Sequence, residues 1–222
     1  MEEKIKKEEL AKKLITSLIE SNVTENDIKK FIRETKEYPF HGIAVDLPYL
    51  ELTKKLLHGT GIRLIAPISY PLGGMTTETK IRQLQYAIEK GADEANVSLN
   101  YSAIKSGDFA KVLDDLKRVV EAAKSKIEIV AVLQSPILTN EEKVKVCNLI
   151  FDAGVRAIKV ASGFGWNTRP EDVMLIRREF RDKFRIEASG GIRTTEQALE
   201  MFALGADLCH TSTWQKVLEG AK

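Results

Sequence analysis

A single-domain (β/α)8 TIM barrel with an N-terminal helical extension is the architecture this sequence predicts, and three observations carry it. Apolar runs of strand length alternate with helix-periodic segments along the chain, which implies a parallel sheet with helical crossovers. Seven such βα units are clear, and the segment before them can supply an eighth, the number that closes a barrel. No GxGxxG follows an early strand, which argues against an open dinucleotide-binding sheet. At 222 residues the chain suits one barrel domain over 1–222. No linker, low-complexity stretch or composition shift marks a second domain.

In chain order, Leu10, Leu14, Ile15, Leu18 and Ile19 fall at helical spacing within residues 2–19, although Leu14 to Ile19 can equally serve as a first strand. Thr24 heads a capped helix that runs to about Lys36. Gly42 to Asp46 reads as a strand and Tyr49 to Leu57 as a helix. The unit then repeats, with strands at Ile62–Ile68, Glu94–Leu99 and Ile127–Leu133. Their helices are Thr77–Lys90, Phe109–Ala123 and Asn140–Ala153. A strand around Lys159 leads to a helix over Pro170–Arg181. Phe184–Ala188, Thr195–Leu204, Asp207–Thr211 and a short last helix complete the pattern.

Composition narrows the function. With 43% hydrophobic and 30% charged residues and a net charge of +2, the chain lacks the concentrated basic excess of a nucleic-acid surface. Cys147 and Cys209 sit in a helical pattern and an apolar strand, with no CxxC or His cluster beside them. A metal site or disulfide framework is therefore not expected. No apolar run reaches the ~18 residues of a membrane span, and the charged start is unlike a signal peptide. The expectation is a cytoplasmic protein that engages neither membrane nor nucleic acid.

The stretch Arg156-Ala-Ile-Lys-Val-Ala-Ser-Gly-Phe164 carries the chemistry. Buried parallel strands are usually apolar throughout, yet Lys159 lies in the middle of this one. Alternation puts it on one face with Ala157 and Ala161, and puts Ile158 and Val160 on the other. Two methyl groups leave room beside the amine, and a buried lysine with room can lose its proton and attack a carbonyl. An edge-strand lysine reaching solvent is the plainer alternative. On neighbouring strands the same alternation gathers Glu94, Asn96 and Ser98, and then Arg185 and Glu187. Lys159 and Glu187 each lie three residues before a glycine-bearing turn, so they should stand at similar heights. They could form a structural ion pair or a nucleophile with its acid/base partner.

An anion site is suggested by two turns. Ser189-Gly190-Gly191-Ile192-Arg193-Thr194 ends a strand and opens a helix, where backbone N–H groups and the helix dipole suit phosphate. Thr211-Ser212-Thr213 holds the corresponding place after the last strand. Loops after strands seven and eight are the usual phosphate site of this barrel.

Taken together, Tyr70-Pro-Leu-Gly73, Thr76-Thr-Glu-Thr-Lys80, Gly91-Ala-Asp-Glu94, Ser106-Gly-Asp108, Ile158-Lys159 with Ser162-Gly163-Phe164, and Ala188-Ser-Gly-Gly-Ile-Arg-Thr194 resemble the deoxyribose-phosphate aldolase family. The resemblance runs from about Leu10 to the end. It implies a (β/α)8 barrel and a metal-free, cofactor-free class I aldol reaction on a small phosphorylated sugar or aldehyde. The nearest reaction is cleavage of 2-deoxyribose 5-phosphate to acetaldehyde and glyceraldehyde 3-phosphate. By the same resemblance Lys159 is the Schiff-base lysine. Ser162, Gly163, Gly190, Gly191, Thr211 and Ser212 then receive the substrate phosphate, and a homo-oligomer is expected.

Several positions depart from the family pattern. Asn96 replaces an aspartate, and Glu187 replaces a second lysine. Gln134 stands for a glutamate, Val160-Ala161 for Thr-Ser, and Leu14-Ile-Thr-Ser17 for Ile-Asp-His-Thr. Asn96 cannot act as a carboxylate acid/base. A glutamate beside the nucleophile should pair with it and hold it as an ammonium. The catalytic set expected from sequence is thus Lys159, Glu187 and Asn96, with Glu187 redeployed as acid/base or the chemistry weakened to sugar-phosphate binding.

Overall fold

A computed structural model describes residues 5–222. The chain enters through a short helix, α1 (Lys7–Ala11), and turns into β1 (Leu14–Leu18). It continues through α2 (Glu25–Thr35), β2 (Gly42–Val45), α3 (Leu50–Leu56) and β3 (Arg63–Ile68). Next come α4 (Thr77–Glu89), β4 (Glu94–Ser98), α5 (Tyr101–Lys105), α6 (Phe109–Ala123) and β5 (Glu128–Val132). The last third holds α7 (Asn140–Asp152), β6 (Ala157–Lys159), α8 (Pro170–Phe180), β7 (Arg185–Ser189), α9 (Thr195–Ala203), β8 (Leu208–Thr211) and α10 (Trp214–Glu219). Each strand pairs in parallel with the next, and β8 pairs with β1, so the eight-stranded barrel closes.

Two local expectations change. The single helix that apolar spacing allowed across 2–19 is split, because β1 must supply hydrogen bonds on both sides. Ile15 lies level with Gly42 of β2 and with His210 of β8, and a helix offers no such ladder. Residues 2–4 of that expectation lie outside the described residues. The five-residue α5 was not anticipated. It is too short to show a period, and it is set by Asn100, whose Oδ1 accepts from Ala103 N at 3.0 Å.

Helix starts follow the local chemistry. Thr24 with Asp27, Thr139 with Glu142 and Thr194 with Gln197 each form a reciprocal capping box, worth about 1 kcal/mol apiece. Outward-facing strand residues such as Ile43, Leu64, Val97, Ile158 and Ile186 are buried against the helices in the main core. Fully burying side chains of this kind contributes roughly 1.5–3 kcal/mol each. Two buried ion pairs stitch the helical layer: Lys80 to Asp115 between α4 and α6, and Lys143 to Asp172 between α7 and α8, both at 2.6 Å.

Inside the barrel the composition is mixed. Ile15, Ala44, Ile65 and Leu208 form a small apolar cluster. Beside it runs a chain of charges: Arg63 meets Glu128 at 2.5 Å, and Arg185 meets Glu128, Glu94 and Glu187 at 2.6, 2.7 and 2.7 Å. Cys147 and Cys209 are buried free thiols. Among the described residues no helix is long and apolar enough to cross a membrane.

Candidate active site

Lys159 closes β6, in register with Val132 of β5 and Glu187 of β7. Its side chain is 5% exposed. Nζ donates to the Tyr70 hydroxyl at 3.1 Å and lies 5.0 Å from the centre of that ring. Burial pulls the amine down from 10.5 to about 8, against the opposing pull of the Glu187 and Glu94 carboxylates. Tyr70 arrives from the loop after β3, donates its proton to Ser162 O, and packs edge-on to Phe164. Burial raises the phenol pKa, so Tyr70 stays neutral.

The expected Lys159–Glu187 ion pair does not form. Glu187 Oε1 accepts from Arg185 Nε and Nη2 at 2.9 and 2.7 Å, and Oε2 meets His210 Nε2 at 2.7 Å. Both carboxylate oxygens are thus engaged, and Lys159 turns to Tyr70 instead. Burial alone would raise the Glu187 carboxyl, but His210 and Arg185 outweigh it and bring it to about 2. Nor does Glu187 face the reacting space as a direct acid/base, since it is not among the residues lining the cavity above Lys159. The expectation that it holds the nucleophile as an ammonium changes in degree: desolvation outweighs the carboxylates and lowers the amine to about 8, so a fraction of it is neutral at pH 7.

Asn96 lies lower on the inward face of β4. Its Nδ2 donates to Glu94 Oε1 at 3.1 Å, its Oδ1 has no partner, and it too is absent from the cavity lining. Among the described residues no hydrogen bond joins Asn96 to Lys159, whose partner is Tyr70.

The cavity is about 240 Å³ and opens at the C-terminal end of the barrel. Lys159, Tyr70 and His210 line one part. The loops carrying Ser162–Gly163, Gly190–Gly191–Arg193 and Thr211–Ser212 line another. The loop after β6 is fixed by Ser162 N donating to Gln134 Oε1 at 2.8 Å and Gly163 N to Trp166 O at 2.9 Å. It comes so close to the loop after β7 that a Cβ at Gly190 would sit 2.8 Å from Gly163 Cα and Trp166 O. Gly190 and Gly191 also have φ of +86° and +81°, where side chains are disfavoured. Thr211 is spent on structure: its hydroxyl donates to Ile192 O at 2.8 Å and accepts from Thr213 N at 3.1 Å. Ser212 and Arg193 are exposed at the rim. All six residues expected at the anion site border this space, Thr211 without a free hydroxyl.

Sequence reasoning missed His210 and gave Tyr70 no role. His210 could have been found by alternation, since it shares a face of β8 with Leu208 of the interior cluster. Tyr70 lies beyond the end of β3, where alternation gives no guidance.

No family model matches the sequence. The deoxyribose-phosphate aldolase of a Thermoanaerobacter species is 37% identical over 213 residues, 95% of this chain and 96% of that one. The Clostridium novyi deoxyribose-phosphate aldolase is 38% identical over 207 residues, 93% of each. Among solved structures, the tetrameric deoxyribose phosphate aldolase of Aeropyrum pernix superposes with a TM-score of 0.88 at 26% identity, over 96% of this chain and 91% of that one.

Proposed function

This chain belongs to the deoxyribose-phosphate aldolase family, and on that premise we propose that it is a class I aldolase. Its reaction is the reversible cleavage of 2-deoxyribose 5-phosphate to acetaldehyde and glyceraldehyde 3-phosphate. The observation that carries the proposal is Lys159: buried, facing the cavity, hydrogen-bonded to a phenol with no carboxylate ion-pair partner among the described residues, and depressed to about 8. Such an amine is partly neutral at physiological pH and is a nucleophile there.

The neutral amine adds to the C1 aldehyde and gives a carbinolamine, which loses water to form the imine. Tyr70, neutral and hydrogen-bonded to Nζ, orients the amine for that attack. The protonated imine then draws electrons from the C2–C3 bond as it breaks. The phosphate is held by the loops of Ser162–Gly163, Gly190–Gly191 and Ser212, with Arg193 supplying charge. The tetrameric state of the Aeropyrum pernix relative supports a homo-oligomer here, and a cytoplasmic site of action belongs to the same proposal.

Borohydride trapping tests the reading. Incubation with acetaldehyde and borohydride should add one ethyl group to the peptide bearing Lys159, and Lys159→Ala should abolish the adduct. No adduct with either acetaldehyde or deoxyribose 5-phosphate, or one that persists in Lys159→Ala, overturns it.

A further inference from the structure

Resting on the aldolase reading, we infer that His210, oriented by Glu187, is the proton carrier of the reaction and works through its Nδ1. The geometry comes first. His210 is 4% exposed, lines the cavity with Lys159, and follows Leu208 by two on β8, so it faces the barrel interior. Its Nε2 lies 2.7 Å from Glu187 Oε2. An ionised carboxylate can only accept, so Nε2 carries the hydrogen and Nδ1 keeps the lone pair. That Nδ1 is a buried atom with no hydrogen-bond partner among the described residues. A buried polar atom left unpaired costs about 1–3 kcal/mol, a cost relieved when the ring turns its Nδ1 to a substrate hydroxyl in the cavity it lines.

The surroundings hold the ring in this form. Glu187 is fixed by Arg185, and Arg185 by Glu94 and Glu128. The charged groups acting on the ring are Lys159 of β6 and Arg185 and Glu187 of β7. Burial and the two cations keep it neutral, against the pull of Glu187, with a pKa near 4. The arrangement is a carboxylate–imidazole pair in which the acid orients and the imidazole moves the proton. Neither other candidate can do this. Asn96 carries no transferable proton, and both oxygens of Glu187 are occupied.

The step balances. With the substrate bound as a protonated imine, Nδ1 takes the proton from the C3 hydroxyl. The C2–C3 bond breaks, its electron pair forms the enamine, and glyceraldehyde 3-phosphate leaves with a new C3 carbonyl. The imidazolium, held by Glu187, returns the same proton to the enamine carbon and gives the acetaldehyde imine. Water released when the first imine formed is consumed when this one hydrolyses and frees Lys159.

The test separates imine formation from proton transfer. In His210→Gln the borohydride-trapped acetaldehyde adduct should still form on Lys159. Cleavage of deoxyribose 5-phosphate, and exchange of the acetaldehyde methyl hydrogens in D2O, should both fall at least ~100-fold, the scale of a lost general base. In His210→Gly, which opens space at the ring, added imidazole should restore exchange in proportion to its concentration. Glu187→Gln tests the positioning role: kcat should fall while KM for deoxyribose 5-phosphate stays within about twofold, because only ring orientation is lost. Exchange within about threefold of the parent in His210→Gln, or no imidazole rescue in a folded His210→Gly that still forms the adduct, overturns the proposal and leaves the aldolase reading standing. A parent that forms no adduct overturns both.

Discussion

The pH dependence of Lys159 is the sharpest consequence of the geometry. Its amine is drawn from 10.5 to about 8, chiefly by burial, which is about 3 kcal/mol in favour of the neutral form. At pH 7 about one molecule in ten then carries the free amine, against about one in three thousand for an ordinary lysine, a gain of roughly 300-fold in nucleophile. The rate of acetaldehyde imine formation, trapped with cyanoborohydride and read by intact mass from pH 6 to pH 10, should rise about tenfold per pH unit at first. It should bend near pH 8 and level off above it, since deprotonation is complete there. Tyr70 does not distort the limb, because burial raises its pKa further from the range. A rate still climbing tenfold per unit at pH 10 would refute the argument. It would mean that the amine titrates as an exposed lysine and that the carboxylates of Glu187 and Glu94 dominate after all.

Three further outcomes follow from the same structure. Gly190→Ala forces a Cβ to 2.8 Å from Gly163 Cα at a φ of +86°, so KM for deoxyribose 5-phosphate should rise at least ~10-fold while the slow cleavage of unphosphorylated deoxyribose barely changes. Lys159→Met should stabilise the fold. The lysine ionises less readily folded than unfolded, so its penalty is full below about pH 8 and fades as the pH rises toward 10.5; after about 1 kcal/mol for the lost Tyr70 bond, urea melts at pH 6 should show a gain of about 2 kcal/mol. Lys80→Met strands Asp115 in the helical layer and should cost about 3–5 kcal/mol in urea melts, most of it recovered in Lys80→Met/Asp115→Leu.

Much of this arrangement was legible because strand alternation is local. It put Lys159 between two alanines, set Glu94, Asn96 and Ser98 on the interior face, and matched Lys159 with Glu187, which are register partners in the barrel. What failed was competition at longer range. The spacing of Leu10, Leu14 and Leu18 satisfies a helix, and what selects a strand is the pair of ladders to Gly42–Val45 and, nearly two hundred residues away, to Cys209, His210 and Thr211. Register neighbours are likewise not bonding partners. Arg185, two residues before Glu187 on the same face, and His210, from the next strand, take the carboxylate first. The lysine instead finds Tyr70, 89 residues earlier in the chain.

That competition also resolves a tension between Glu187 and a Schiff-base lysine. A carboxylate beside the amine should suppress imine formation by stabilising the ammonium. Here Arg185 gives Glu187 two hydrogen bonds and a positive charge, and is itself tied to Glu94 and Glu128. Removing charges from water is costly, so a carboxylate already paired has little to gain from drawing a second cation into the interior. Among the described residues the amine is left with a neutral phenol as its only hydrogen-bond partner, and with desolvation as the largest influence on its proton. A substitution that alone would quench the nucleophile becomes compatible with it once Arg185 balances the charge and His210 Nε2 takes the second oxygen. The carboxylate is then free to set the tautomer of the imidazole beside Lys159.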